Sequence, residues 1–506
     1  MEFGEFGLTA KRGRILAADG SPLAYTVRAW RFYLDPRAAD LSVYDTDCFR
    51  EIAEGLGVPV QSLLAAYARN DRQNVFLLCC EAAHELGVPM QPLFDASEGR
   101  GNVAQEPPRH IFLSEAADNG SAVEYFDRRH PWLTKCAGLI REPVQKRVYP
   151  LGAAAVSVVG FMHGGAHTDR PKGAGGLEWA CDKSLAGTDG IYDKRLPQQE
   201  RYRNAKPRPG ADIQTTLVPG LQKAAAEALS AACATNGAES AFALVMKVPL
   251  GEIAAMASWP TFDPSMRRDL DKWDSEMAMN RAAQTVFEPG GLAKPIVEAI
   301  ALDSGVAADV TNAVSSVGVK KFHAALRRFG FGSKTGTAGI PGEEVGILTS
   351  KPEYWEIDTT APESVGMGHG FAVTGLQLAQ AYATLANRGT LVRPTLIAEG
   401  ARSCATNDIT QVVPPTVADA IMRMLKSPIH AVVPICEHDR ESGRSFYSPT
   451  SCIASCAGIV PAESYRYVVV ASFSKPRLAH NVEEASKPVF KSISDQIHRR
   501  AVSGDE

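Results

Sequence analysis

The chain has 506 residues, of which 45% are apolar and 22% charged, and its 53 basic and 57 acidic residues give a net charge of −4. This length is sufficient for two or three domains with a large core, and the near-neutral balance argues against nucleic acid as a partner. No run of about 18 apolar residues predicts a membrane-spanning helix, and the first residues lack the apolar run of a signal peptide.

The N-terminal third predicts strands first and helices afterwards. Residues 8–40 predict a strand pair with a turn at residues 19–20, because 23–34 are rich in β-forming side chains. Residues 45–95 predict helices with one apolar face. Two stretches, 96–120 and 163–210, are rich in Gly, Pro, Arg and Asp and show little periodicity, so irregular structure is predicted there.

After residue 207 the pattern alternates between helices and paired strands. The predicted elements are a strand at 213–217, a helix from Pro219 to Gly237, a hairpin of 241–248 and 252–258, a capped helix from Thr374 to Asn387, a helix from Thr416 to Lys426, a hairpin of 452–460 and 465–473, and a final helix that begins at Pro488. This order predicts an α+β fold in which helices flank an antiparallel sheet. We place a domain boundary between an elongated N-terminal domain, 1–206, and this α+β domain, 207–500.

Ten cysteines are scattered along the chain without a Cys-x-x-Cys pair, and we expect most of them to be small buried apolar side chains. Two groups of possible ligands or nucleophiles are interpreted as polar loops: His163 with His167 and Asp169, and Cys436 with His438 and Asp439. The sequence therefore predicts no metal site and no cofactor.

Several stretches, in chain order, resemble the class B penicillin-binding proteins, the monofunctional D,D-transpeptidases of bacterial peptidoglycan synthesis. They are residues 12–24, 147–152, 176–178 and 185–190 in the N-terminal part, and residues 251–264, 280–282, 329–332, 340–343, 368–370, 374–383 and 385–389 in the C-terminal part. The resemblance implies a serine β-lactamase-like transpeptidase domain behind an N-terminal pedestal domain, and a place at the inner membrane or in the periplasm. It also implies cell-wall synthesis or division proteins as partners, and peptidoglycan stem peptide or β-lactam as ligands.

The first motif of that family, Ser-x-x-Lys, is present here without its serine. Residues 289–294 read Pro-Gly-Gly-Leu-Ala-Lys, so Gly291 stands where the family has its nucleophile and Lys294 keeps the place of the motif lysine. Because glycine has no side chain, no acyl-enzyme can form at this position.

The second motif, Ser-x-Asn, is also altered. Its candidate is the run Ser315-Ser316-Val-Gly, which lacks the asparagine. The resemblance makes these residues part of a vestigial cleft, whereas the residues alone are equally typical of two ordinary helix serines.

The third motif, Lys-Thr-Gly, occurs literally at Lys334, but we interpret this copy as a loop. Glycine and proline recur within 332–342, and such a segment does not form a central strand. We expect the strand equivalent to the motif strand between residues 426 and 452, an interval without lysine. His369, at a position that the family fills with Tyr or His, is expected to be structural.

Three functions remain open on the sequence. The first is a catalytically inactive pseudo-transpeptidase that acts as a scaffold or regulator. The second is an active D,D-transpeptidase or carboxypeptidase whose displaced nucleophile is Ser315 or Ser316. The third is a non-covalent sensor of stem peptides or β-lactams. The vestigial cleft is predicted to contain Gly291, Lys294, Ser315 and Ser316.

Overall fold

The structure is a computed structural model. It describes residues 10–34, 49–50, 52–54, 58–68, 79, 82, 111–117, 139–163, 171–190, 207–265, 275–307, 309–357, 360–398, 410–438, 445–461, 464, 466–477 and 482–503. Two compact units are present, one of residues 1–11, 25–148 and 188–209, and one of residues 12–24, 149–187 and 210–506. A domain boundary at residue 206 stays a prediction. In the part of the chain described, no helix combines the length and the apolar character that crossing a bilayer requires.

The predicted N-terminal strand pair is confirmed as β1 (Ile15–Leu16) and β2 (Pro22–Leu34), which are antiparallel. In the turn between them, Asp19 Oδ1 accepts a hydrogen bond of 2.9 Å from the Ser21 N–H. Gly20 has a φ of +80°, which suits a residue without a Cβ atom.

The smaller unit contains two strands that the sequence did not predict. Helix α1 (Val60–Ala68) buries Leu63 and Leu64, as its apolar spacing predicts. Strands β3 (Ile111–Ala117) and β4 (Leu139–Val148) both pair antiparallel with β2. The prediction of irregular structure over 96–120 is therefore wrong for β3, because pairing with β2 outweighs its weak local pattern.

The predicted irregular stretch 163–210 also contains regular structure. Helix α2 (Val156–Val159) precedes this stretch, and strand β5 (Phe161–His163) ends at its first residue and pairs with β6 (Lys172–Ala174). Strand β6 and the helices α3 (Gly176–Ala180) and α4 (Asp182–Leu185), all within the stretch, are too short for a periodicity to be visible in the sequence. Strand β7 (Ile213–Gln214) lies within the predicted strand 213–217 and pairs parallel with β1.

A buried ion pair joins two segments that are 166 residues apart in the chain. Arg12 Nε lies 2.8 Å from Glu178 Oε2, and Arg12 Nη1 lies 2.7 Å from Asp182 Oδ1. The Glu178 side chain is completely buried. Arg12 and Glu178 belong to two of the N-terminal stretches that carry the family resemblance, so the structure brings these stretches together.

The centre of the larger unit is a five-stranded antiparallel sheet, preceded by helix α5 (Pro219–Asn236). Its strands are β8 (Ser240–Lys247), β9 (Ile253–Trp259), β10 (Ile429–His438), β11 (Ser445–Val460) and β12 (Tyr467–Ser474), in the order β10-β11-β12-β8-β9. Both predicted hairpins are confirmed. The expected strand between residues 426 and 452 is β10.

Several helices of the described residues lie between β9 and β10 in the chain. They are α6 (Arg281–Gln284), α7 (Lys294–Asp303), α8 (Ala313–Val317), α9 (Val319–Arg328), α10 (Tyr354–Ile357), α11 (Ala361–Gly366), α12 (Gly375–Ala386) and α13 (Pro415–Met424). Helix α12 is buried from Gly375 to Leu385 and begins with the predicted capping box, in which Thr374 accepts from the Gln377 N–H. This helix forms the centre of the core on one face of the sheet.

Helices α5 and α14 (Val482–Ser503) cover the other face of the sheet. Val489, Ile493 and Ile497 of α14 are buried there, as predicted. The prediction that Pro488 begins this helix is wrong, because α14 starts at Val482 and contains the proline. Ala485 and Ser486, which precede the proline, are completely buried, and this burial compensates for the backbone donor that Pro488 lacks.

The two edges of the sheet differ. Along β9, the Gln222 side chain of α5 takes the place of a further strand: its Oε1 accepts from the Met256 N–H at 2.7 Å and its Nε2 donates to the Met256 carbonyl at 2.9 Å. Along β10, a proline, Pro434, precedes a shift in the pairing register with β11. The β10 edge is the one that adjoins residues 290–293.

Candidate functional site

Gly291 lies in a tight turn that the core holds from two sides. The turn is the 3-10 helix Gly290–Ala293, and α7 continues directly from it at Lys294. The Gly290 N–H donates to the Gly368 carbonyl at 3.0 Å. The buried Tyr382 hydroxyl of α12 donates to the Leu292 carbonyl at 2.9 Å. These two hydrogen bonds hold Gly290 and Leu292, and with them the start of α7, against the core.

The two neighbouring glycines of this turn have different structural requirements. Gly290 has a φ of +51°, and a Cβ atom there would lie 2.5 Å from Val433 Cγ2 of β10. Gly291 is not among the residues with positive φ, and a Cβ atom there would lie 3.7 Å from Ala431 Cβ, an ordinary van der Waals distance. The fold therefore requires glycine at 290 but leaves room for a side chain at 291.

Lys294 lies on the first turn of α7 and forms an ion pair with a residue one turn further on. Its Nζ is 3.8 Å from Glu298 Oε1, and the two side chains are 57% and 8% exposed. Burial raises the pKa of Glu298, and the Lys294 charge opposes that rise. The amine is thus directed along its own helix toward a carboxylate.

Ser315 and Ser316 lie on the exposed side of α8. The opposite side, Ala313 with Val314 and Val317, is buried. The α8 helix contacts α7 and α11. The structure thus places both serines on a helix next to α7, while the ion-pair partner of Lys294 in the described part of the chain is Glu298.

The literal Lys-Thr-Gly copy at Lys334 is a loop, as predicted. Residues 333–338 form no strand, and Gly336 has a φ of +78°. Thr335 donates to Glu343 Oε1 through both its N–H and its hydroxyl, at 2.6 Å each. Because Glu343 is buried, these bonds give the Thr335 loop a structural role.

The strand that lies against the Gly290–Ala293 turn is β10. Ala431 and Val433 of β10 are buried and lie nearest to the two glycines. The described strand carries no lysine, and His430 Nδ1 is 3.0 Å from the Ser486 hydroxyl of α14. Where the resemblance predicts a cationic motif strand, the chain therefore presents apolar side chains.

A polar cluster that the sequence analysis did not identify surrounds Glu288, which precedes the turn. Glu288 Oε2 lies 3.0 Å from His369 Nδ1, its Oε1 accepts from the Gly370 N–H at 2.9 Å, and both oxygens lie 3.2 Å from the Tyr447 hydroxyl. Burial raises the pKa of Glu288, but the hydrogen bonds from His369, Gly370 and Tyr447 outweigh this effect and bring it below its usual value. The cluster therefore favours an ionised Glu288.

Only part of this cluster was accessible to sequence reasoning. His369 was expected to be structural. Glu288 lies two residues before Gly290, but nothing in the sequence relates it to Tyr447, which is 159 residues away. Among the described residues, no three His, Cys, Asp or Glu side chains converge in a way that could hold a metal ion.

The sequence of this chain is similar to those of known proteins. The sequence profile described as the penicillin binding protein transpeptidase domain matches residues 241–316 and 307–433. The peptidoglycan D,D-transpeptidase FtsI of Escherichia coli is 24% identical over 97% of this chain and 84% of its own. The penicillin-binding protein PbpB of Mycolicibacterium smegmatis is 26% identical over 70% of this chain and 65% of its own.

Solved structures show the same fold. Penicillin-binding protein 3 of Mycobacterium tuberculosis, in complex with aztreonam, aligns with a TM-score of 0.62 and 20% identity over 98% of this chain and 97% of its own. A peptidoglycan synthetase of Bifidobacterium adolescentis aligns with a TM-score of 0.62 and 18% identity over 98% of this chain and 96% of its own.

Proposed function

We propose that the chain is a class B penicillin-binding protein that acts in peptidoglycan synthesis as a pseudo-transpeptidase; its similarity to the penicillin binding protein transpeptidase domain and to FtsI of Escherichia coli supports this family. In this function it binds other components of cell-wall synthesis or division and forms no acyl-enzyme. The retained fold then serves as a scaffold, and this chain carries out no bond-forming step.

The observation that carries the proposal is Gly291 at the start of α7. Covalent acyl transfer by this family starts with a side-chain hydroxyl one helical turn before the motif lysine. Here that position has only a hydrogen, and the lysine is paired with Glu298. The turn, the adjoining strand β10 and the space above Gly291 are nevertheless present, which is what a protein that keeps the fold without the reaction would show.

Labelling with a fluorescent penicillin tests this proposal directly. The purified chain is incubated with the reagent, denatured and examined on a gel, with FtsI of Escherichia coli as the positive control. We expect no covalent label on this chain. A labelled band would contradict the proposal, and a mass-spectrometric adduct on Ser315 or Ser316 would instead establish the displaced-nucleophile alternative.

A second function, non-covalent sensing of a stem peptide or β-lactam, is favoured by one observation. The space beside Gly291 opens next to an edge strand, and sheet edges bind extended peptides through backbone hydrogen bonds. Isothermal titration calorimetry with a peptide ending in D-Ala-D-Ala tests it. Heat that saturates would support sensing, and its absence up to millimolar peptide would exclude it.

A further inference from the structure

One stretch of the larger unit differs in charge from the rest of the chain. The chain as a whole has a net charge of −4, yet residues 310–342 contain no Asp or Glu. The same stretch contains five basic residues, namely Lys320, Lys321, Arg327, Arg328 and Lys334. Four of them belong to helix α9, so positive charge is concentrated on one short element.

Helix α9 directs these four cations to one side. Its buried residues are Val319, Phe322, His323, Ala325 and Leu326. Its exposed residues are Lys320, Lys321, Ala324, Arg327 and Arg328. At 3.6 residues per turn the exposed set forms one continuous stripe along the helix. This stripe, here called the α9 basic face, therefore contains four cations and a single alanine.

Two of the four cations have an acidic neighbour. Lys320 Nζ lies 3.3 Å from Glu353 Oε1, and Arg328 Nη2 lies 3.0 Å from Asp303 Oδ2. The Lys320 and Arg328 side chains are nevertheless 68% and 49% exposed, so these pairs are weak and both cations still contribute to a positive potential. Among the described residues, neither Lys321 nor Arg327 forms an ion pair.

The stability of the helix explains only half of this pattern. Arg327 and Arg328 occupy the last turn of α9, where cations interact favourably with the helix dipole. Lys320 and Lys321 occupy the first turn, which contains no acidic residue and where cations are unfavourable. The two lysines are therefore placed against the preference of their own helix, as expected for side chains that contact an external anion.

The composition of the face indicates what kind of anion it fits. Its two pairs of cations lie about 10 Å apart along the helix axis, so a single small anion contacts one pair only. The centre of an interface with a folded protein is apolar and poor in charge, whereas this face offers Ala324 alone. A helix that lies in a membrane surface inserts its apolar side chains, and those of α9 are buried in the core. A flexible polymer with carboxylates at intervals meets none of these objections.

We propose that the α9 basic face binds peptidoglycan non-covalently, through the carboxylates of its stem peptides. Lys321 and Arg327 contact the carboxylates directly, while Lys320 and Arg328 add to the positive potential. This binding rests on the proposed function in peptidoglycan synthesis, and it supplies the scaffold with a hold on the polymer that does not involve residue 291. No bond is formed or broken in it.

Co-sedimentation with purified peptidoglycan sacculi tests the binding. We expect the parent chain to pellet with sacculi and to be released as NaCl rises from about 50 mM to about 300 mM, because exposed charges are screened by salt. The double variant Lys321→Glu with Arg327→Glu should bind about fivefold more weakly or less, since two exposed contacts become repulsive. A parent chain that stays in the supernatant, or a double variant that pellets as the parent does, would overturn the inference.

The matched control is the double variant Lys491→Glu with Arg499→Glu. Both residues are exposed on α14, and the change in net charge is the same. This control should bind sacculi as the parent does; an equal loss in the two double variants would show that binding follows net charge and does not depend on α9. If the α9 charge reversals prevent folding, as judged by tryptophan fluorescence, Lys321→Gln with Arg327→Gln removes the same two cations and is judged by the same comparison.

Two further arms identify the anion. Sacculi whose carboxylates have been converted to amides with carbodiimide and ammonia should no longer pellet the parent chain, and unchanged pelleting would exclude carboxylates as the ligand. Vesicles of phosphatidylglycerol and phosphatidylcholine at about 3:7 should bind less than sacculi do, and stronger binding to vesicles would assign the face to a lipid surface instead. Penicillin labelling of the parent chain would contradict the proposed function alone, whereas loss of sacculus binding without labelling would contradict this inference alone.

Discussion

The pair of glycines at the start of α7 offers a stability test of whether the fold itself requires glycine at residue 291. The two substitutions are Gly290→Ala and Gly291→Ala. The neighbours differ in backbone conformation and in the space around a new Cβ atom, so we expect opposite signs for the change in the free energy of unfolding.

The magnitudes follow from the geometry. At residue 290 the φ of +51° costs an alanine about 1–2 kcal/mol. The 2.5 Å approach to Val433 Cγ2 adds about 1–3 kcal/mol of overpacking, and the sum is a destabilisation of about 2–5 kcal/mol. At residue 291 neither cost applies. An alanine there restricts the unfolded chain and stabilises the protein by about 0.4–1 kcal/mol.

Urea denaturation of the three proteins, followed by tryptophan fluorescence, provides the measurement. The midpoint should fall markedly for Gly290→Ala and should stay or rise slightly for Gly291→Ala. A loss of more than about 1 kcal/mol for Gly291→Ala would refute the reasoning, because it would show that the fold itself requires glycine there. The missing side chain would then be a structural necessity and no longer a sign of lost catalysis.

Three further changes have expected outcomes. Arg12→Met should destabilise the protein by about 3–5 kcal/mol, because it leaves Glu178 buried without its guanidinium. Arg14→Met, at an exposed pair, should leave the midpoint nearly unchanged in the same denaturation assay. Glu288 has a folded pKa below its usual value, so its stabilisation is present at neutral pH and is lost as the pH falls through the folded pKa. Glu288→Gln should therefore lower stability by about 1–2 kcal/mol at pH 7 and flatten the acid limb of a stability–pH curve; an unchanged limb would contradict this. Burial gives Glu298 a folded pKa above its usual value, so its ionisation opposes folding as the pH rises from the unfolded pKa to the folded pKa. Glu298→Gln should raise the thermal midpoint at pH 7 by relieving about 1 kcal/mol of burial cost, with no difference below the unfolded pKa; a lower midpoint at pH 7 would show that the pair with Lys294 dominates.

The sequence was sufficient to predict those elements whose first and last residues are determined by nearby side chains. Proline at the first position and Gly237 just past the end set the limits of α5. Thr374 and Gln377 set the start of α12. The loop at Lys334 followed from the density of glycine around it. In each case the residues that decide the structure lie within a few positions of each other.

Features that depend on distant partners were not predicted. Strand β3 exists because β2 offers it a ladder of hydrogen bonds. Helix α14 extends before Pro488, where Ala485 and Ser486 are buried. Tyr447 became relevant only when folding placed it 3.2 Å from Glu288. The Lys294–Glu298 pair is an exception, since its spacing of four residues could have been noticed in the sequence.

The unequal edges of the central sheet affect how this protein can aggregate. Gln222 saturates the backbone of Met256 and so protects the β9 side. An extended strand from another molecule would therefore pair with the β10 edge. On this edge Pro434 has no N–H to donate, and the register shift that follows it bends the strand. For the central sheet, these two features confine intermolecular strand addition to the part of β10 before the proline, which contains the residues that border Gly291.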